Sequence, residues 1–279
     1  MLETDGYLSG QELCEQLGVS RTAVWKYMKQ LKEEGYEIEA IQNKGYCLKD
    51  VPDVLGESEI KSRLHTRWAG QTLYYYDEID STNTQIKRLA EEDAPHGTLA
   101  VADYQSRGKG RRGRAWDSPH GSAIYMSILF RPEIRPDRAS MLTLVIGLSV
   151  TQAIRSNLGL QAQIKWPNDI VCDGKKVCGI LTEMSAQIDY INYIVIGVGI
   201  NVSNEIFPEE VAATATSLYL LTGVRISRAK LAAKIMAEFE KYYALYLKTQ
   251  DLSGLMNEYN SHLINRGRSV RVLDPRQEY

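Results

Sequence analysis

The sequence is poor in the residues that staple small or metal-bound folds. Its 279 residues include four cysteines, Cys14, Cys47, Cys172 and Cys178, and no two of them form a CxxC pair. That argues against a disulfide framework and against a thiol-rich zinc site, leaving the cysteines as reduced packing residues. Histidine is equally scarce, and His65, His96, His120 and His262 are too far apart in sequence to suggest a ligand cluster. Net charge is also small, formally -2, so the chain as a whole is no polybasic tail. The apolar runs are short: "MLTLVIGLSV", Met141 to Val150, falls well below a bilayer's width. The N-terminus has neither the basic nor the apolar region of a signal peptide. These absences lead to the expectation of a cytoplasmic protein with no membrane partner. Repeats and low-complexity segments are missing too. What remains is an ordinary globular composition, 44% hydrophobic, in a chain long enough for a sizeable core divided among domains.

The first fifty residues read as a unit. Ser9 followed by Glu12 is a capping box, Leu13 and Leu17 share a helical face, and Gly18 ends the turn. Ser20 can cap a second helix with Val24, Met28 and Leu31 inward, ended by Gly35. Two alternating strands around Asn43-Lys44-Gly45 then make a wing. The pattern is a winged helix-turn-helix. Its cations gather on the second helix and wing, while Glu3, Asp5, Glu12 and Glu15 precede them. Ser20, Arg21, Thr22, Lys26, Lys29 and Lys44 are therefore the expected DNA contacts. A winged helix normally has another helix before this pair, and only "MLETDGY" precedes Ser9, so that helix is expected to be missing.

Pro52 and Gly56, in a stretch without periodicity, mark a boundary, and residues 51–63 are expected as linker. Beyond it, strand patterns ("QTLYYYDEI", "TLAVADYQ", "AIYMSILF", "YINYIVIGVGINV") alternate with helical ones ("STNTQIKRLAEED", "RASMLTLVIGLSVTQAIRSN"). A tight turn is expected at Asp173-Gly174. Short turns between neighbouring strands favour an α+β domain on a mixed, largely antiparallel sheet. The alternation in "YINYIVIGV" suggests a sheet edge at which a second copy can pair.

Between two of those strands lies "SRGKGRRGRAWDS", residues 106–118. Glycines let backbone N–H groups close around an anion, and the interleaved Arg107, Lys109, Arg111, Arg112 and Arg114 supply charge and forked donors. No Gly-Lys-Ser/Thr follows, so it is not a P-loop, and Trp116, Asp117 and Pro119 stand where a dinucleotide-binding helix would start. The loop alone leaves three readings: a nucleic-acid arm, a solvated loop, or a substrate loop.

Other motifs accompany it in order: "DSTN" at 80–83, "YQ" at 104–105, "GKGRRGRAW" at 108–116, "KWPND" at 165–169, "GKKVCGIL" at 174–181 and "GVGINV" at 197–202. Together they resemble the biotin–protein ligases. With the winged helix in front, the chain is similar to the bifunctional type that also acts as biotin operon repressor. The resemblance spans nearly the whole chain and implies ATP-dependent formation of biotinoyl-5′-AMP, then transfer of biotin to a lysine of a biotin carboxyl carrier protein. A lipoate ligase-like adenylating enzyme and a ligand-sensing repressor without catalysis are the alternatives.

The implied fold is α+β, in four parts: a winged helix-turn-helix at 1–50, the linker, a mixed-sheet biotin/lipoate ligase-like (class II synthetase-like) domain at 64–264, and an incomplete C-terminal SH3-like barrel at 265–279. The implied biotin-binding residues are Ser81, Thr82, Asn83, Gln105, Lys109, Gly110, Arg111 and Lys176, with Lys109, Arg111 and Lys176 catalytic. Gly108, Arg112, Trp116, Asn168, Asp169 and Asn201 are implied for ATP and the adenylate, with Asp169 toward magnesium. Operator DNA and a ligand-favoured homodimer complete the implied partners. Lys109 departs from the family's usual arginine, keeping the charge and losing the planar fork.

Overall fold

The computed structural model describes residues 6–33, 35–41, 44–50 and 53–269. The chain separates into two compact units, Met1–Val54 and Leu55–Tyr279. In the first, helix α1 (Gly10–Leu17) opens on the expected capping box: Glu12 N–H donates to Ser9 Oγ at 3.1 Å and Ser9 N–H to Glu12 Oε2 at 2.8 Å. Gly18 closes it in the left-handed region, at φ 65°. Helix α2 (Arg21–Glu33) and the antiparallel pair β1 (Glu37–Ile41) and β2 (Gly45–Asp50) follow. Leu13, Val24, Met28 and Ile38 form their buried core, with Leu31 packed at its margin. Asn43 of the wing turn, the segment 1–5 before the first helix and residues 270–279 of the anticipated barrel lie outside the described residues.

The second unit runs α3 (Glu57–Lys61), β3 (Leu73–Ile79), α4 (Thr82–Glu91), β4 (Leu99–Gln105), β5 (Ala123–Phe130), α5 (Leu142–Leu158), β6 (Gln163–Lys165), β7 (Asp169–Cys172), β8 (Lys175–Ala186) and β9 (Ile191–Asn201). It ends with α6 (Glu209–Ala212), α7 (Leu218–Thr222), α8 (Arg228–Thr249) and α9 (Met256–His262). Its sheet has the order β3-β4-β5-β9-β8-β7-β6. Only β3 and β4 pair in parallel; every other neighbour is antiparallel.

Every residue of β5 is buried because both faces of the sheet are covered. Ile124, Met126, Ile128 and Phe130 join β9's Ile194, Ile196, Val198 and Ile200 in the large core with α5 and α8. On the other face, Leu129 and Val195 pack under Ile86, Leu89 and Ala90 of α4. With side chains alternating along a strand, the odd-numbered residues of β5 and β9 belong to the α4 face, and past the N-terminal start of α4 that face is free to form a site.

Three expectations are corrected. Strand β9 is not an edge: from Ile194 to Ile200 it is paired with β5 on one side and β8 on the other. Its apolar alternation reflects a central strand covered on both faces, and the edges are β3 and β6. Residues 51–63 are not wholly linker, since Leu55 and Ile60 are 1% and 0% exposed within the large core, an apolar burial that a free linker does not make. Third, the apolar run around Met141–Val150 extends into a continuous helical segment, Pro136–Leu158, of 23 residues, long enough to cross a membrane; here it is a core helix.

Helix α8 is tied to the loop before β3 by one carboxylate. Glu240 accepts from the backbone N–H groups of Arg67 (2.9 Å), Trp68 (3.0 Å) and Ala69 (3.2 Å). Burial alone would raise this carboxyl, but the three amides outweigh it and hold it below the usual range. A group whose folded value is depressed stabilises the fold above its unfolded value, near 4.5, and loses that contribution as pH falls through the folded value. Glu240→Gln is therefore expected to cost about 1–2 kcal/mol near neutral pH, with a smaller penalty below pH ~4. Denaturant titrations of both proteins across that range check it; a penalty independent of pH counts against the assignment.

Candidate functional site

Where α4 begins, Ser81 and Thr82 are set against the end of β4 and the middle of β5. Ser81 is the N-cap residue of α4, yet its hydroxyl makes no capping bond. It is 2% exposed and borders the cavity, so the helix does not consume it. Thr82 donates through both N–H (2.8 Å) and Oγ1 (3.1 Å) to Gln105 Oε1, which fixes the Gln105 amide with its nitrogen toward Ser118 Oγ at 3.0 Å. Ser118 in turn donates to the Trp116 carbonyl at 3.0 Å. Ser127 Oγ lies 2.7 Å from Thr82 Oγ1 and 2.6 Å from Asn83 Oδ1. A chain of satisfied polar groups thus runs from the floor of the cavity to the end of the basic loop.

The basic loop folds back on itself. Gly110 N–H donates to Arg114 C=O at 2.7 Å and Trp116 N–H to Gly108 C=O at 3.0 Å. A single 3-10 turn, Arg111–Gly113, forms the tip, with Arg112 at φ 58°. Gly108 is required by close approach: a Cβ there would meet the Trp116 carbonyl at 2.3 Å. The loop is anchored across the cavity by Lys109 Nζ donating to Thr84 Oγ1 (2.9 Å) and by Arg111 donating to Asn168 Oδ1 (2.8 Å). Asn168 donates to the Ile180 carbonyl at 3.0 Å, so its amide is oriented for the arginine.

Under the loop, β8 and β9 present bare backbone. A Cβ on Gly179 or Gly199 would lie 2.7 Å from the Trp116 indole, and one on Gly197 would lie 2.0 Å from Asn83 Oδ1. These glycines let an aromatic ring and an amide lie flat on the sheet. Lys176 Nζ sits 5.2 Å from the Trp116 ring centroid and 2.7 Å from Asp169 Oδ1. With the indole and the lysine across the glycine bed, the cavity measures about 60 Å³.

This one cavity gathers Ser81, Thr82, Asn83, Gln105, Lys109, Gly110, Arg111, Trp116, Asn168 and Lys176 from the sequence expectation. Four anticipated residues do not line it. Gly108 shapes the loop from behind, Arg112 points out from the exposed tip, and Asn201 is buried with its amide on the Thr216 carbonyl at 3.1 Å. Asp169, anticipated toward magnesium, faces Lys176 instead. Among the described residues no three His, Cys, Asp or Glu side chains converge to hold a metal. The sequence reading missed Tyr125, Ser127, Gly179, Leu181, Glu183, Gly197 and Gly199; the signal was present as every second residue along β5, β8 and β9.

In the N-terminal unit Ser20, Arg21, Thr22, Lys26, Lys29 and Lys44 are all exposed. Arg21 donates to Gln11 Oε1 at 3.0 Å, Lys29 lies 3.7 Å from Glu33, and Lys44 lies over the Tyr7 ring at 5.8 Å. The four cysteines are unbridged, and burial pushes the Cys172 thiol up to about 12 and the Cys178 thiol higher still, which disfavours the thiolate at both.

Residues 75–201 match the biotin/lipoate A/B protein ligase family, and residues 1–47 match a helix-turn-helix domain. The chain is 43% identical over 268 residues to the bifunctional ligase/repressor BirA of Bacillus subtilis, covering 95% of this chain and 82% of that protein. It is 32% identical over 247 residues to the protein of the same name from Escherichia coli, covering 88% and 75%. Among solved structures, the biotin protein ligase from Aquifex aeolicus in complex with biotin and ATP superposes with a TM-score of 0.61 at 32% identity, over 70% of this chain and 79% of that one.

The glycine bed makes a direct test. Gly197→Ala is expected to lift the Asn83 amide off the sheet and break its contact with Ser127, at a cost of about 1–3 kcal/mol. A crystal structure and a melting curve of the variant read both effects; an undisturbed Asn83 would show that the close approach is not required.

Proposed function

The chain belongs to the biotin/lipoate A/B protein ligase family, and we propose that it is an ATP-dependent biotin–protein ligase that is also a biotin-responsive repressor. The observation that carries the ligase reading is the single cavity in which neutral hydrogen-bonding groups, Ser81, Thr82, Asn83 and Gln105, adjoin the cations Lys109, Arg111 and Lys176. The neutral end suits a ureido head group, whose oxygen and nitrogens need partners once buried. The cationic end suits a carboxylate and the phosphates of ATP, two anions that repel unless charge is placed between them.

In the first half-reaction a biotin carboxylate oxygen bonds to the α-phosphorus of ATP, and the bond to the β-phosphate's bridging oxygen breaks with release of pyrophosphate. We assign Lys109, Arg111 and Lys176 to holding the two anions in line and spreading the developing negative charge. Lys176 is held for this task 2.7 Å from Asp169. Trp116 and Asn168, which line the cavity, are assigned to the nucleotide side together with Gly108, Arg112 and Asn201, which do not line it. In the second half-reaction a carrier lysine amine attacks the acyl carbon of the mixed anhydride and AMP leaves. The basic loop excludes water meanwhile. The residues present do not form a magnesium cage, because Asp169 is engaged by Lys176.

The repressor half rests on the helix-turn-helix match and on the exposed cations of α2 and the wing. We assign residues 1–50 to operator binding, 64–264 to catalysis and 265–279 to the opening of an SH3-like barrel. One reading head covers one half-site, so a two-half-site operator calls for a homodimer favoured by the adenylate. The acceptor is a biotin carboxyl carrier protein. Use of ATP and four unbridged cysteines support a cytoplasmic setting.

Exchange of labelled pyrophosphate into ATP, run with biotin and separately with lipoate, tests the reading. Exchange dependent on biotin is expected; dependence on lipoate would favour the sister chemistry, and none with either would favour a ligand sensor. Lys176→Met is expected to slow exchange by about 10²- to 10³-fold while weakening ATP-free biotin binding less. Unchanged exchange would remove Lys176 from the reaction. Sedimentation with and without biotin plus ATP reads the dimer, and an identical coefficient in both counts against it.

A further inference from the structure

We infer that Glu183 and Lys87 are positioning residues that lock the Asn83 amide in one orientation and thereby set the affinity for biotin rather than for ATP. The inference rests on the ligase reading and deepens it. Strand alternation puts Glu183 on the site face: Thr182, its neighbour, points the other way and meets Thr143 of α5 at 2.7 Å. Both carboxylate oxygens are engaged. Oε2 accepts from Asn83 Nδ2 at 2.8 Å and Oε1 accepts from Lys87 Nζ at 2.6 Å. Asn83 and Lys87 are one helical turn apart on α4, so one carboxylate meets both.

An ionised carboxylate only accepts, so Asn83 must turn its NH2 toward Glu183 and its oxygen toward Ser127, 2.6 Å away above Gly197. A flipped amide would set oxygen against oxygen. Glu183 remains ionised although burial alone would raise its carboxyl, because the bonds from Lys87 and Asn83 outweigh that effect and Lys109 adds to them. Neither Glu183 nor Lys87 lines the cavity, whereas Asn83 does. The pair therefore acts through Asn83, at the end of the cavity assigned to the head group.

The test compares KM for biotin and for ATP in pyrophosphate exchange, with ATP-free biotin binding by calorimetry, on the full chain. Glu183→Gln keeps the shape but can offer Asn83 either a donor or an acceptor, so the amide is no longer fixed. About a tenfold rise in biotin KM and Kd is expected, with the ATP KM within about twofold. Lys87→Met leaves the Asn83 contact in place and removes the counter-charge, for about a threefold rise in biotin KM. If Glu183→Gln fails to fold, Lys87→Met decides on the same readout. An unchanged biotin KM, or equal rises in both KM values with a lowered melting temperature, overturns the inference. No biotin-dependent exchange in the unaltered protein overturns the ligase reading and this inference together; exchange there with indistinguishable variants overturns the inference alone.

Discussion

The site depends on backbone left bare. A sheet covered by helices on both faces offers little room for a polar ligand, since each inward side chain is already packed. Here the cover on one face stops where α4 starts, and Gly179, Gly197 and Gly199 keep the exposed part of β8 and β9 free of side chains. Asn83 and Trp116 occupy the space those glycines leave. The polar floor and the aromatic wall of the cavity both follow from that vacancy of Cβ atoms.

Charge is handled in the same economical manner. The loop cations are exposed and spaced around a backbone that closes through its own hydrogen bonds, so the loop is ordered without burying an ion. Lys176, half-buried, is paired with the Asp169 carboxylate. The cost of an unpaired buried charge is avoided on both sides of the cavity. Hydrogen bonds from Lys109 to Thr84 and from Arg111 to Asn168 give the loop a defined place over the sheet. These same groups are the ones assigned to the two anions under the proposed function.

Much of this was legible in the sequence, and for local reasons. The capping box at Ser9, the turn at Asp173-Gly174 with both residues at positive φ, and the helical and strand periods each depend on residues a few positions apart. The ordered motifs likewise named ten residues that share the cavity. What the sequence could not determine was non-local. That β9 is central and not an edge depends on which strands flank it, and its apolar pattern fits either place. Asp169's engagement by Lys176 required the β7/β8 register. Glu183 and Lys87 meet across 96 positions, and Ser127 reaches Asn83 across 44. Periodicity says which side of a strand a residue takes; only the packed sheet decides what waits on that side.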